Sequence, residues 1–492
     1  MRIAGWKQRA AMGLGAGLVL LSLGVGMAPR TEAAAEYLSY TLNWRHRKVA
    51  APLGYVVERV LNGVGQLDQP MSQPQDLFLD KNENLWIADT DGNRIIEMTR
   101  DGQVLRTIKD DGDPTQPTPL FGPQGVFVAP NGEIFIADTG NKRIVHLDPN
   151  GKLLQIIGAP KSLLLGADFN FQPSKLVVDS NRMIYIVNGG DYRGLLQLDE
   201  RGRFRSFFGA NKVGFSWTRV LTRVVATEQQ REQLTRVLPP PPSNITLDPA
   251  GFFYVPSQFA ETSQIKKLNS VGKNSFPAQF YGEREVDGFT LVRPKFIDVA
   301  VDKNNIVSAL DSATGRVYQY DQDGNPLLVF GGTGDQRGTF RFASSLVVDS
   351  RGWLYVLDSQ RNDIQVFRPT EFAQLVHQAS ELYYNGDYER AAVYWQRVLD
   401  ADTNYELGHK GLARNYYREQ QYRRAMEEYR LAHDKAGYSM AFGELRKEWL
   451  RAHFGLAIVL VVGALVLAIV VGVLVNLYVK AGSRPGQIVG EA

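Results

Sequence analysis

The sequence predicts a mainly β protein with a smaller all-α part: a six-bladed β-propeller, a short array of helical hairpins and one transmembrane helix. Three observations predict it. A strand–turn–strand pattern recurs six times, helical spacing replaces alternation after Glu371, and an uncharged apolar run extends from Phe454 to Val479. At 492 residues the chain is too long for one ordinary core. Its 44% hydrophobic and 22% charged content is that of a globular protein. A formal charge of +3 gives no general electrostatic case for nucleic acid. The absence of cysteine excludes disulfides, thiolate metal sites, a cysteine nucleophile and a lipidated-cysteine anchor.

The N-terminus opens with Arg2, Lys7 and Arg9, then an apolar run from about Ala10 to Met27, then Ala33-Ala34-Ala35. Basic, apolar and small-residue regions in that order describe a secretory signal peptide over residues 1–35. Residues 36–53 are expected to be a linker. At the other end, residues 454–479 exceed the 20 or so apolar residues that a spanning helix needs. Arg446, Lys447 and Arg451 on one side balance Lys480 and Arg484 on the other, so flanking charge does not orient the helix. The signal peptide does. It sends residues 36–452 outside a cell membrane and leaves residues 480–492 as a cytoplasmic tail.

Internal repeats order the body. Six copies begin at Pro74, Pro123, Pro173, Pro242, Lys295 and Ala343, as in "PQGVFVAPNGEIFIADT" and "ASSLVVDSRGWLYVLDS". In each, a short apolar strand meets a tight turn rich in Asp, Asn and Gly, residues that tolerate the backbone of two-residue hairpins. A second strand, a polar turn and a third strand follow. A fourth strand closes most units: "VLRTI", "LLQIIG", "FRSFFG", "AQFYG" and "LLVFGG". Four antiparallel strands every 45 to 50 residues or so make a propeller blade. The sixth unit lacks its fourth strand, because "IQVFRPTEF" runs into helical sequence. "GYVVERVLNG", Gly54–Gly63, supplies the missing pattern, so an N-terminal strand is expected to close the ring over residues 54–369 and remove its free edges. An insertion at 211–241 carries Val220, Leu221, Val224 and Val225 on one helical face and ends at Pro239–Pro242.

The stretch from Pro123 to Ile144, with its "IADTGNKRI", resembles the NHL repeat, and the resemblance reaches from about Gly54 to Pro369 with weakening copies. It implies a six-bladed NHL-type propeller. In residues 370–452, Ala379, Tyr383, Tyr388, Ala391 and Trp395 recur as Ala413, Tyr417, Tyr422, Ala425 and Tyr429 at an offset of 34. That offset resembles the tetratricopeptide repeat, whose small residues let paired helices approach while aromatics fill between them. Two repeats fall short of the usual three, so they are expected to lean on the propeller, on the helix "MAFGELRKEWLRAHF" or on a partner.

Candidate chemistry lies at two places. Aligned copies place Asp76, Gly125, Lys175, Asn244, Asp298 and Ser345 at one level of the pore, a candidate ligand-binding mouth. The set resembles the centre of six-bladed lactonases, whose Glu, Asn and Asp hold a metal, and so raises a divalent cation in the pore as an alternative. Here no glutamate takes part and Lys175 repels a cation. The lyase among NHL-type propellers uses histidine-bound zinc, and the propeller part of this chain offers only His46 and His146, too few for three ligands. No metal site or cofactor is therefore assigned. The second place is a rim of Arg94, Arg143, Arg193 and Arg316, each just after a hairpin acid or its equivalent. The rim can grip an anionic polymer or, as the commoner arrangement, hold blades together. No catalytic residues stand out.

The sequence thus points to a non-enzymatic, membrane-anchored extracellular scaffold or receptor-like protein. It binds a protein or polymer, most simply another membrane or envelope component, through propeller and repeat surfaces. The alternatives are a metal-dependent lactonase-like hydrolase using the pore and a carbohydrate-binding component of an uptake system. Nucleic acid fits an exported chain poorly.

Overall fold

The computed structural model describes residues 37–166, 168–209, 239–287 and 290–482. The expected signal peptide, nearly all of the 211–241 insertion and most of the expected tail lie outside the described residues.

Six sheets surround one axis. Blades one to three are four-stranded, from Pro74–Leu79 to Val104–Ile108, Gly125–Val128 to Leu153–Ile157, and Pro173–Val178 to Phe204–Phe208. Blade five carries Phe296–Val301, Val307–Asp311, Arg316–Tyr320 and Pro326–Gly331. Blade six carries Ala343–Val348, Leu354–Asp358 and Asp363–Pro369. Its fourth strand is the N-terminal Tyr55–Leu61, antiparallel to Asp363–Pro369 with Leu61 opposite Ile364 and Tyr55 opposite Pro369. The ring closes as the sequence requires, and the main-chain groups on that edge of blade six are paired.

Two expectations change. Residues 36–53 are not merely a linker: Leu38–Leu42 and Lys48–Ala50 form a hairpin that extends blade five to six strands. The cause is the outer strand of blade five, whose consecutive Leu327, Leu328, Val329 and Phe330 are all buried and need cover on both faces. Tyr40 and Leu42 provide part of that cover, and the Thr41 hydroxyl donates to the Leu327 carbonyl at 3.0 Å. Blade four has three strands, Thr246–Leu247, Phe253–Pro256 and Ile265–Leu268, and the expected "AQFYG" strand does not form. There the Gln264 side chain takes the place of a ladder. Its amide nitrogen donates to the Tyr281 carbonyl at 3.2 Å and its oxygen accepts from the Tyr281 N–H at 3.0 Å. Pro277, which has no N–H, opens that segment.

Six helices follow among the described residues: α1 (Glu371–Tyr384), α2 (Tyr388–Ala401), α3 (Glu406–Arg418), α4 (Tyr422–Leu431), α5 (Lys435–Ala452) and α6 (Phe454–Gly482). The first four repeat in detail. The turn residues Gly386 and Gln420, 34 apart, both have positive φ, at 81° and 61°. Their N–H groups reach the carbonyls of Tyr383 and Tyr417, each at 3.1 Å. Tyr383 packs edge-on against Tyr388 as Tyr417 does against Tyr422. Ala379, Ala413, Ala391, Ala425, Trp395 and Tyr429 are all buried. A Cβ on Gly411 would meet Trp395 at 2.2 Å, so glycine permits the close approach of α3 to α2.

The helices share a core with the propeller. Phe372, Ala373 and Val376 of α1 and Tyr405 beside α3 pack in one cluster with Tyr55, Leu327, Phe330 and Phe367. Gln319 is the polar pin. Its amide nitrogen donates to the Tyr55 hydroxyl and the Ser308 hydroxyl, each at 3.0 Å, and its oxygen lies 3.0 Å from His377 Nε2. Burial pushes the His377 imidazole down to about 4, so it is neutral, with Nε2 carrying the donated proton. α6 is long and apolar enough to cross a membrane.

Candidate functional site

Each inner strand runs from one end of the ring to the other, and alternate side chains face the axis. The sequence therefore stacks residues in levels. Asp76, Lys175, Asn244, Asp298 and Ser345 hold equivalent positions on their inner strands, and all five are buried. Asp76, Lys175, Asn244 and Asp298, with their neighbours, line a cavity of about 1170 Å³. Two residues further along each strand lie Phe78, Phe127, Val177, Thr246, Ala300 and Val347, a largely apolar wall above a polar floor. The sequence reading missed this wall, although a step of two from each floor residue reveals it.

The floor residues are engaged with their neighbours. Asp298 of blade five accepts from the Leu346 N–H at 2.9 Å and the Ser345 hydroxyl at 2.6 Å, both in blade six. Ser345 in turn accepts from the Leu77 N–H of blade one at 3.2 Å. Asp76 of blade one accepts from the Val126 N–H of blade two at 3.0 Å. Each side chain thus holds the next inner strand. Blade two breaks the series with Gly125, where a Cβ would stand 2.4 Å from the Ser174 carbonyl oxygen. Lys175 of blade three spans that gap, donating to Asp76 Oδ1 and the Gln75 carbonyl, each at 2.6 Å. Asn244 binds its own neighbour, the Ile245 N–H, through Oδ1 at 2.7 Å.

Burial raises the Asp76 carboxyl above the usual range against the opposing pull of Lys175. Burial likewise pushes Asp298 up to about 7, again opposed by Lys175. A divalent cation does not fit this donor set, because the Lys175 ammonium already lies against Asp76. Among the described residues, no group of three or more histidines or carboxylates is placed to hold a metal ion.

The rim arginines are engaged too. Arg94 Nε lies 2.7 Å from Asp89, and its other nitrogens reach Asp68 and the carbonyls of Gln69 and Pro70. Arg143 pairs with Asp138 and Asp111, Arg193 with Asp191, and Arg316 with Glu283. The hairpin acids fix backbone: Asp89 accepts from the Ser72 N–H, Asp138 from Phe121, Asp311 from Lys295 and Asp358 from Phe342. These side chains do not form one open cationic ring. They tie each hairpin to the connection entering its own blade, instead of bonding a neighbouring blade as the repeat pattern suggested.

That same end of the ring carries a feature the sequence did not reveal. Strand two turns into strand three there, and strand one begins there, so both kinds of loop share a face. Phe121 (60% exposed), Leu163 (103%), Leu164 (73%), Tyr192, Phe259 (65%) and Phe342 all project from these loops. Periodicity is silent here, since turns have no repeating inside and outside.

Solved structures with similar chains include a streptogramin B lyase (12% identity, 68% of this chain and 93% of that chain, TM-score 0.40). They also include an inactive virginiamycin B lyase from Staphylococcus aureus with quinupristin (12%, 68% and 99%, 0.40). A third is a protein provisionally described as a gluconolactonase (14%, 68% and 98%, 0.41). No curated protein matches the sequence. The NHL-repeat family model matches residues 122–147, which take in the first three strands of blade two, and the chain is similar to NHL-repeat proteins over that blade.

Proposed function

We propose that the protein is a membrane-held recognition module, a receptor-like scaffold rather than an enzyme, and that its propeller binds a protein partner. The observation that carries this reading is the commitment of the polar floor to joining blades. Asp76, Lys175, Asp298 and Ser345 all hold neighbouring strands, while apolar side chains stand exposed on the loops at the end where the inner strands begin. Exposed apolar groups gathered on one face mark interaction surfaces. Phenylalanine and leucine, without hydroxyl or indole donors, suit an apolar protein surface better than a sugar. The repeated helix pairs are read as tetratricopeptide-like. α1 buries Phe372, Ala373, Val376 and His377 against the propeller, so this array serves first to brace the ring and second to offer its outer helices. With residues 1–35 acting as a signal peptide, both modules stand outside the membrane, where another envelope component is the natural partner.

A photo-crosslinking amino acid at Phe121 or Phe259, in intact membranes, tests this. One defined protein adduct is expected, lost when Leu163 and Leu164 are both changed to Asp. The second reading, a hydrolase, draws on the Asp298 carboxyl, which titrates near neutrality beside the cavity. Turnover of sugar lactones abolished by Asp298→Ala would establish that reading and remove the first.

A further inference from the structure

α5 packs on α4 through a narrow strip of small residues. Gly437 and Ala441 are buried there, and a Cβ on Gly437 would meet the Tyr429 ring at 2.4 Å. About a quarter-turn away, Tyr438, Phe442, Leu445 and Trp449 follow one another at steps of four, three and four, a single face of the helix. Tyr438 is 37% exposed, Phe442 48% and Trp449 58%. Glu444 and Glu448 lie on the other side, where their charges act on the Tyr422 hydroxyl of α4. Arg446 flanks the apolar stripe on its open side and makes no ion pair among the described residues. Trp449 stacks on His453 at its own helix end, ring centroids 4.7 Å apart, and Tyr438, Phe442 and Trp449 still leave an amphipathic face open.

Its place in the chain says what covers it. Only His453 separates α5 from α6, the candidate span. At about 1.5 Å per residue, Trp449 lies within about 8 Å of Phe454 along the chain, about the depth of a headgroup layer. His453 leaves helical geometry (φ −112°, ψ 13°), which ends α5 and lets α6 start on an axis of its own. Apolar side chains with a tryptophan, flanked by arginine, are the make-up of helices lying in a bilayer interface.

We propose that α5 lies along the membrane surface, its Tyr438–Phe442–Leu445–Trp449 face in the headgroup layer and Arg446 on the phosphate of an anionic lipid. This rests on α6 being a span. It adds that the helical stack sits on the bilayer instead of standing clear of it, which fixes how the propeller is presented.

The full chain in lipid nanodiscs tests this, with tryptophan emission quenched by brominated lipids. The Trp449 contribution is the difference between the wild type and Trp449→Phe. A second position is read by Phe442→Trp in that background. Quenching at both positions, at least twofold stronger for shallow than for deep bromines, is expected. Brominated phosphatidylglycerol should quench Trp449 about twofold more than brominated phosphatidylcholine, and Arg446→Gln should abolish that preference. Quenching at Trp449 but not at position 442 overturns the lying orientation, and equal quenching by the two lipids overturns the anionic contact. Release of the protein by alkaline carbonate removes the span itself, a failure visible before any quenching is measured.

Discussion

Lys175 Nζ lies 2.6 Å from Asp76 Oδ1, joining blade three to blade one across the glycine of the blade between them. A residue that sequence alignment placed at a pore mouth is therefore a tie across the ring. The pair is buried, and its other partners are main-chain groups, among them the Gln75 carbonyl and the Val126 N–H.

Lys175→Met keeps the stem of the side chain and leaves Asp76 buried without its counter-charge. Breaking one partner of such a pair costs roughly 3 kcal/mol or more. A lower denaturation midpoint is expected, with partial recovery in Lys175→Met/Asp76→Asn, measured by urea unfolding of the detergent-solubilised protein.

Gly125→Ala places a methyl group 2.4 Å from the Ser174 carbonyl oxygen, and main chain has to move. Overpacking of this kind costs about 1 to 3 kcal/mol. Gly158→Ala, with open space around its Cβ position, should leave thermal unfolding unchanged.

The same substitution changes sign within the helical stack. Gly411→Ala drives a carbon into Trp395 and should lower the melting temperature. Gly443→Ala meets nothing within 4 Å and replaces a mid-helix glycine, so it should stabilise α5 by about 0.5 to 1 kcal/mol. Differential scanning fluorimetry of the two variants side by side reads both directions.

Asp298, at about 7 in the fold, is raised above the unfolded carboxylate value near 4. The folded state therefore holds its proton more tightly. Its contribution to stability is complete below about pH 4 and is lost as pH rises through about 7. Asp302 and Asp321, each pushed up to about 6 by burial, act in the same direction. Melting temperatures from pH 4 to pH 8 should fall less steeply for Asp298→Asn than for the wild type. A parallel slope would show that Asp298 does not titrate in this range.

Gln319→Leu strands the buried His377 ring nitrogen at about 1 to 3 kcal/mol and leaves the Tyr55 hydroxyl only its long contact to the Gly352 carbonyl at 3.5 Å. Cleavage near Thr370, between propeller and α1, should become faster under limited proteolysis while the ring itself stays resistant.

How much of this was legible depended on whether the signal was local. Alternation and Asn/Asp/Gly turns at 80–84 and 129–133 disclose hairpins, because a strand's two faces and a turn's φ demands are written in neighbouring residues. The donated strand Tyr55–Leu61 was legible by subtraction, since a sixth blade without a fourth strand leaves an edge. The stripe of Ala and aromatic residues 34 apart disclosed paired helices for the same local reason. The hairpin Leu38–Ala50 was hidden, because nothing in its own residues says that the outer strand of blade five needs cover.

The sequence by itself determined the repeat, the closure of the ring, the paired helices and the apolar C-terminal run, all of them consequences of periodicity along the chain. Only the tertiary structure decided what the polar residues do. Whether Lys175 faces a ligand or a carboxylate, and whether Arg94 grips a polymer or Asp89, is set by groups dozens of residues away or by how tightly a turn folds. The energy of a buried charge depends on what surrounds it in space, and one-dimensional spacing carries no record of that.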